Sequence, residues 1–180
     1  MAGCHALAEA VVEHKVSIDK CIPGGRAVQE KVAALLGVEI KHAERKISTL
    51  LCNGGVRAKD KHEYFGPETC ACDAMYDLGH KACSFGCLGW GDCAVGCPFG
   101  AITMEDDGLP RVNEDKCTAC GRCIKVCPKN LYELVSISKR IYVKCKSTDS
   151  GPDTARVCKG GCIACLRCVK ACRFDAIHVN

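Results

Sequence analysis

Two short amphipathic helices are predicted at the start of the chain. In the first, apolar residues recur at helical spacing along one face, namely Ala6, Leu7, Ala10 and Val11. The sequence Pro23-Gly24-Gly25 then breaks the chain. A second apolar face follows, made of Val28, Val32, Leu35 and Leu36, and Gly37 ends it.

The middle of the chain shows the patterns of short strands. Residues 47–52 predict a strand that is ended by Asn53-Gly54-Gly55. Residues 101–104 and 110–113 flank the turn Glu105-Asp106-Asp107-Gly108, which is typical of a hairpin.

The remaining patterns are weaker. Short helices should follow Cys93 and Cys123, and residues 131–135 predict one more strand. The charged run 57–63 indicates an exposed loop, and 41–46 indicates a basic, solvated helical face.

Cysteine dominates the composition and points away from an ordinary core. The chain has 19 cysteines in 180 residues and only 5% aromatic residues. A disulfide framework would need a secreted chain, yet no apolar signal stretch opens the sequence, and an odd count leaves one thiol over. The thiols therefore indicate a reducing compartment, the cytoplasm, and bound clusters that serve as part of the core.

The formal net charge of +4 is a poor guide to partners. A four-iron cube held by four thiolates carries about −2 when oxidised, so three of them would bring the total to roughly −2. The charge therefore gives no reason to infer a nucleic-acid partner, and none is expected.

The segment 116–128, which reads KCTACGRCIKVCP, has the most specific pattern in the chain. It has the spacing C-x2-C-x2-C-x3-C-P, which holds cubane iron–sulfur clusters in bacterial-type ferredoxins. The first three cysteines bind one cube and the fourth binds a neighbouring cube. Zinc sites usually separate two C-x2-C pairs by a longer loop, so a zinc knuckle is the weaker interpretation.

An internal repeat begins at Cys70. At an offset of 75 residues, five cysteines fall on five others without a gap: Cys70, Cys83, Cys87, Cys93 and Cys97 on Cys145, Cys158, Cys162, Cys168 and Cys172. This indicates a duplicated ferredoxin-like unit whose second copy is incomplete.

Two complete clusters are expected in the first unit. One would be bound by Cys83, Cys87, Cys93 and the distant Cys127, and the other by Cys97, Cys117, Cys120 and Cys123. Trp90 stands where the second unit has Cys165, and we expect Cys83 to replace the missing ligand. The alternative is that the first cube has only three local ligands.

The remaining cysteines leave alternatives open. Cys162, Cys165 and Cys168 should hold a cube whose fourth thiolate comes from outside this segment, while Cys172, followed by Arg173 instead of proline, should serve a further cube. Four spare cysteines either bind an additional cluster that joins the units or are buried thiols: Cys52, Cys70, Cys145 and Cys158. Cys72 is assigned no role, and His80 could tune the first cluster or simply pack.

Several segments together resemble a known family. They are AGCHALAEAVVEHKVSIDKCIPGGRAVQEKVAALLG at the start, then HKACSFGCLGWGDC, VCPKNLYEL and CIACLRCVKAC. Their order is similar to that in the B subunit of the Rnf complex, an ion-pumping ferredoxin:NAD oxidoreductase. Cys4 and Cys21 match the last two ligands of the family's N-terminal C-x2-C-x4-C-x16-C cluster, and the resemblance implies a chain truncated at both ends. Two core cysteines are the alternative for this pair.

The resemblance implies an α+β fold in four parts. Residues 1–37 would be a partial N-terminal cluster segment and 38–69 a connector. Residues 70–144 would be a ferredoxin-like unit with two [4Fe-4S] clusters, and 145–180 a second, truncated unit. The whole chain is therefore expected to bind at least two clusters, and three or more if the second unit also binds one.

The resemblance also implies a function. The chain would be a peripheral subunit on the cytoplasmic face of the inner membrane, bound to other Rnf-type membrane subunits. It would take electrons from reduced ferredoxin toward a flavin and NAD-handling partner, coupled to sodium or proton export. Basic residues could steer an acidic ferredoxin, namely Lys139, Arg140, Lys144 and Lys146.

Two other classes compete with this interpretation. One is a ferredoxin-like electron-wire subunit of another soluble oxidoreductase, against which the N-terminal Pro-Gly-Gly segment argues. The other is a zinc-rich structural scaffold. The sequence has no G-x-G-x-x-G after a strand and no acid/base constellation, so redox relay is the only chemistry that it predicts.

Overall fold

The computed structural model describes residues 3–21, 24–38, 44–138 and 141–177. Its helices are α1 (Gly3–Val12), α2 (Gly25–Leu36), α3 (Cys70–Met75), α4 (Asp92–Val95), α5 (Arg122–Val126), α6 (Gly151–Val157) and α7 (Arg167–Ala171). Its strands are β1 (Lys46–Leu50), β2 (Ile102–Met104), β3 (Pro110–Val112) and β4 (Tyr132–Ser136). Short helices and small sheets of this kind confirm the predicted α+β class.

The two helices predicted at the start of the chain are confirmed. Helix α1 buries Val11, and α2 ends at Gly37 in the left-handed conformation, with its N–H on the carbonyl of Ala33. The Gln29 amide donates to the carbonyls of Asp19 and Cys21, which ties α2 to the turn between the helices. Of the predicted basic stretch 41–46, residues 41–43 lie outside the described residues, and Lys46 begins β1.

Strand β1 pairs with a partner that the sequence pattern did not indicate. It runs antiparallel to β4, from Lys46 opposite Ser136 to Leu50 opposite Tyr132. One further bond, from the Leu51 N–H to the Leu131 carbonyl at 2.8 Å, extends the pairing. The segment predicted as a connector therefore contributes a strand to the ferredoxin-like unit.

The predicted hairpin is confirmed. Strands β2 and β3 are antiparallel, with Ile102 opposite Val112, and the Gly108 N–H closes the turn on the Glu105 carbonyl at 2.9 Å. The predicted short helices α4 and α5 also form, and each begins one residue before its cysteine, Cys93 or Cys123, instead of after it.

Residues 57–61 are paired on both sides instead of forming a free loop. On one side, the Lys59 N–H donates to the Val157 carbonyl at 2.8 Å, next to the bridge between Ala58 and Cys158. On the other, the Lys61 N–H donates to the His80 carbonyl at 2.9 Å. The charged side chains still reach water, as the charge pattern predicted, but the backbone joins the two repeated units.

Sulfur atoms form part of the hydrophobic core. A cluster of buried side chains includes Leu50, Ile102, Leu109, Leu131 and Tyr132 together with Cys52, Cys93 and Cys123. Because cysteines stand where larger apolar side chains would otherwise pack, groups bound to these sulfurs would contribute directly to the stability of the core. Among the described residues, no helix is both long and apolar enough to span a membrane.

Candidate metal centres

The structure gathers twelve of the cysteines around three cavities. All 19 cysteines are free thiols. Cavity A is lined by Cys70, Cys87, Cys93 and Cys127; cavity B by Cys97, Cys117, Cys120 and Cys123; cavity C by Cys52, Cys83, Cys145 and Cys158. Their volumes, including the open space at their mouths, are similar at about 350, 320 and 330 Å³.

In no part of the described chain do three His, Cys, Asp or Glu side chains converge as they would on a single metal ion. The sulfurs instead stand around a space. Four thiols around one cavity are the donor set of a [4Fe-4S] cluster, in which each iron takes one thiolate. The residues of each cavity therefore fit such a group.

Cavity B brings together the four cysteines that the sequence grouped as one cluster. The loop before α5 places Ala119 and Gly121 at positive φ, 55° and 73°, which curls the chain around the cavity. From β1, Ser48 gives its N–H to Cys117 Sγ at 3.4 Å, and its hydroxyl lies 2.9 Å from Cys123 Sγ. The Ala101 N–H bonds to Cys97 Sγ at 3.4 Å.

Cavity A differs from the expected grouping in one cysteine. Cys87, Cys93 and Cys127 line it as expected, but Cys70 takes the place assigned to Cys83. The Tyr132 hydroxyl donates to Cys93 Sγ at 3.2 Å. Burial raises the pKa of Cys93 to about 11 and also raises the pKa of Cys87, because a thiolate is poorly solvated there.

Two acceptors hold Cys70 in position. The Asp92 carboxylate accepts from the N–H groups of Cys70 at 2.9 Å and Ala71 at 3.1 Å, and Asp92 is the residue directly before Cys93. Thr69 caps α3 by accepting from the Cys72 N–H at 3.2 Å. The first turn of α3 is therefore fixed to the start of α4, and Cys70 and Cys93 face the same space.

A buried carboxylate explains why position 90 is a tryptophan. Asp73, on α3, is fully buried and accepts from Trp90 Nε1 at 2.7 Å, His80 Nδ1 at 2.5 Å and the His80 N–H at 2.9 Å. Burial raises the pKa of Asp73, but these hydrogen bonds outweigh burial and leave it below its usual value. Trp90 thus holds the helix that carries Cys70, and His80 packs in the same network.

Cavity C collects the spare cysteines in an arrangement that the sequence did not predict. Cys52, Cys145 and Cys158 do lie together, but their fourth member is Cys83, and Cys70 lines cavity A instead. Burial raises the pKa of Cys52 and of Cys83.

The third cysteine trio has the loop shape of cavity B but lies at the surface. Ala164 and Leu166 have φ of 51° and 58°, close to the values at Ala119 and Gly121. The Ala176 N–H bonds to Cys172 Sγ at 3.3 Å, as Ala101 does to Cys97 in cavity B. Three cysteines are exposed and available to a further element, namely Cys162, Cys165 and Cys168.

The last three cysteines stand apart. Cys4 is exposed on α1 and Cys21 is half-buried, where a Cβ at Gly24 would lie 2.9 Å from its sulfur. Cys72 is half-buried on α3, and only its backbone N–H has a described role, in the helix cap.

Comparison with known proteins defines the class first. Residues 82–131 match the family described as a 4Fe-4S dicluster domain. The matched segment contains every cysteine of cavities A and B except Cys70, which precedes it. Residues 82–131 are therefore similar to ferredoxin-like iron–sulfur domains, and the predicted fold class is confirmed.

Similar proteins extend the relationship to the whole chain. The chain is 43% identical over 180 residues to the B subunit of the Na(+)-translocating ferredoxin:NAD(+) oxidoreductase complex of Acetobacterium woodii, with 99% of this chain and 54% of that protein covered. It is 40% identical to the B subunit of the ion-translocating oxidoreductase complex of Methanosarcina acetivorans, with 89% of this chain and 61% of that protein covered. It is 39% identical to the B subunit of the proton-translocating ferredoxin:NAD(+) oxidoreductase complex of Clostridium ljungdahlii, with 99% of this chain and 63% of that protein covered.

Over nearly its whole length the chain is thus similar to B subunits of ion-translocating oxidoreductase complexes, and the resemblance to the Rnf B subunit that its motifs indicated is confirmed. It spans between about half and two thirds of the length of these relatives.

Proposed function

We propose that the chain is an iron–sulfur electron-transfer subunit with one [4Fe-4S] cluster in cavity A and one in cavity B. The observation that carries this proposal is the exchange of ligands between two short helices. The α4 segment gives Cys93 to cavity A and Cys97 to cavity B, while the α5 segment gives Cys123 to cavity B and Cys127 to cavity A. The two helices pack closely, since a Cβ at Gly96 would lie 3.3 Å from Val126.

A bound cluster supplies the chemistry, the gain and release of one electron. The chain supplies the surroundings. Leu88, Leu131 and Tyr132 line cavity A and keep water from its sulfurs, and Leu131 is only 1% exposed. Hydroxyl and amide donors from Ser48, Ala101 and Tyr132 point at sulfur atoms, where they offset negative charge.

The names of the relatives support a finer proposal. We infer that reduced ferredoxin donates the electrons and that they pass toward a flavin and NAD-handling part of a membrane complex, with this chain on the cytoplasmic face. Two relatives are named for different ions, sodium and protons, so we propose coupling to ion transport without choosing the ion. The alternative is a ferredoxin-like component of another soluble oxidoreductase.

The proposed steering of ferredoxin by basic residues receives limited support. Lys139 and Arg140 lie outside the described residues. Lys146 is held by Glu133 at 2.9 Å, and the Lys144 ammonium lies 5.8 Å from the centre of the Tyr142 ring. Lys144 remains the candidate for this role among the described members of the group.

Anaerobic purification of the chain tests the proposal. We expect iron and acid-labile sulfide in equal amounts, and EPR signals after reduction with dithionite. Cys93→Ala and Cys123→Ala should each remove about four iron atoms, from cavities A and B respectively. Cys72→Ala is the matched control and should remove none.

Zinc in place of iron, or an iron content that neither variant lowers, would overturn the assignment. The finer proposal has its own test, in which reduced ferredoxin is mixed with the iron-loaded chain and the visible spectrum is followed. If ferredoxin fails to reduce a chain that contains its clusters, the alternative is favoured, namely a ferredoxin-like component of another soluble oxidoreductase.

A further inference from the structure

Cavity C is assembled from four separate parts of the chain. Cys52 follows β1, Cys83 follows the segment paired with residues 59–61, Cys145 follows β4, and Cys158 ends α6. Buried thiols that only fill space have no reason to face one another, whereas four that surround one cavity form a ligand set.

The doubly paired segment 57–61 builds the cavity. The Ala82 N–H donates to the Lys59 carbonyl at 2.8 Å, and this places Cys83 at the end of one pairing. The Lys159 N–H donates to the Arg57 carbonyl at 3.0 Å, and this places Cys158 opposite Ala58. Both cysteines therefore depend on the same backbone, although they lie in different repeated units.

Glycines let the backbone approach the sulfurs. A Cβ at Gly54 would lie 3.5 Å from both Cys52 Sγ and Cys158 Sγ, and 3.2 Å from the Ala58 methyl. Added Cβ atoms at Gly160 and Gly161 would collide with the Asn53 carbonyl oxygen at 2.1 Å and with Thr154 at 2.4 Å. Cys52 Sγ accepts N–H bonds of 3.4 Å from Gly54 and Cys87. Close backbone approach and amide donors around sulfur are typical of cluster sites.

The segment that carries Cys145 is fixed to the first repeated unit. Next to Cys145, the Lys146 ammonium binds the Glu133 carboxylate at 2.9 Å and the Asn130 carbonyl at 3.0 Å. Ser150 caps α6 by accepting from the Asp153 N–H at 3.3 Å, and Thr154 inside that helix is 1% exposed. These contacts hold Cys145 and Cys158 against Cys52.

Cavity C is a junction between units and not a copy of cavity A. The repeat aligns Cys83 with Cys158, and both of these line cavity C; it aligns Cys70 with Cys145, yet these two line different cavities. The N–H of Cys87, which lines cavity A, bonds to the Cys52 sulfur of cavity C. The two sites are therefore neighbours.

We propose that Cys52, Cys83, Cys145 and Cys158 bind a third [4Fe-4S] cluster, which joins the two repeated units and lies beside cavity A. This inference rests on the proposed function, since it extends the same relay by one site.

The test compares Cys52→Ala and Cys158→Ala with the unchanged chain, all purified anaerobically at full length. Each variant should lose about four iron atoms and four sulfides, together with one component of the dithionite-reduced EPR spectrum. The signals removed by Cys93→Ala and Cys123→Ala should persist. Cys72→Ala is again the control.

A second variant keeps the result decisive if a cysteine substitution unfolds the chain. Gly54→Ala retains all four sulfurs. Its added methyl group would lie 3.2 Å from the Ala58 methyl and 3.5 Å from two of the sulfurs, so it should speed the release of iron from cavity C to a chelator and leave release from cavities A and B unchanged.

Unchanged iron and sulfide in Cys158→Ala, together with unchanged iron release in Gly54→Ala, would overturn the third site, as would one zinc per chain that Cys158→Ala removes. If Cys93→Ala and Cys123→Ala still lose iron in that case, the proposed function is retained and only the third cluster is rejected. If the unchanged chain has no iron, both proposals fail.

Discussion

Cavities A and B have the same number of sulfurs and nearly the same volume but are built in different ways. Three cysteines of cavity B lie in the short segment around the start of α5, and only Cys97 comes from elsewhere. In cavity A, Cys70 and Cys127 lie far from the other two, and a buried polar network holds Cys70 in place. Cavity B therefore depends on local backbone conformation, whereas cavity A depends on tertiary contacts that Asp73 organises.

The largest expected difference concerns Cys70 and Cys83. Cys70→Ala should remove about four iron atoms and leave the same EPR spectrum as Cys87→Ala, because both residues line cavity A. Cys83→Ala should instead match Cys158→Ala. If Cys83→Ala matched Cys87→Ala, the grouping expected from the sequence would be correct and the geometry of α3 would not describe the loaded protein.

Removal of the Asp73 carboxylate should affect cavity A selectively. Asp73→Ala leaves Trp90 Nε1 and the His80 N–H without their acceptor, at a cost of about 3 kcal/mol in the free energy of unfolding. Urea unfolding followed by tryptophan fluorescence measures the change, and iron analysis should show loss from cavity A but not from cavity B. Asp106→Ala, on the exposed turn of the hairpin, is the control and should change stability by less than about 0.5 kcal/mol.

A smaller effect is expected from Trp90→Phe. This variant keeps an aromatic ring but loses the 2.7 Å bond to Asp73, which should lower the free energy of unfolding by about 1 to 2 kcal/mol and make the iron in cavity A more labile. The rate of iron release to a chelator is the measurement. Equal release from both cavities in this variant would show that the network does not serve cavity A in particular.

The smallest effects are shifts in reduction potential. Ser48→Ala removes the hydroxyl beside Cys123 Sγ and should lower the potential of the cluster in cavity B by about 40 mV, the one-electron equivalent of about 1 kcal/mol. Tyr132→Phe should do the same in cavity A. Redox titration followed by EPR resolves the two, and Ser136→Ala, whose hydroxyl faces Ser138, is the control. A shift of both signals by either variant would contradict the assignment of one donor to each cavity.

Sequence reasoning succeeded where structure is local. The hairpin around Gly108, the helices α4 and α5, and the proximity of three of the four cavity B cysteines follow from spacing within short segments. The pairing of β1 with β4 could not be predicted from the sequence, because each strand is short and its residue pattern does not indicate which strand it pairs with.

The placement of Cys70 at cavity A and of Cys83 at cavity C required information that spacing cannot carry. The clue was present in the combination of Asp73 with Trp90, a carboxylate and an indole donor within one unit, but their contact appears only after the chain folds. The four segments of cavity C were likewise brought together by backbone pairing at Ala58, where no motif marks the site.

The double pairing of residues 57–61 also sets an order for synthesis. All eight cysteines that line cavities A and B are present once Cys127 has left the ribosome. The strand partner of β1 follows within about ten residues, a length of chain made in roughly a second or two. One edge of segment 57–61 stays open until Cys158 emerges. During that interval the nascent chain already has every cysteine of cavities A and B, and it exposes a backbone edge that its own C-terminal part must reach before another chain does.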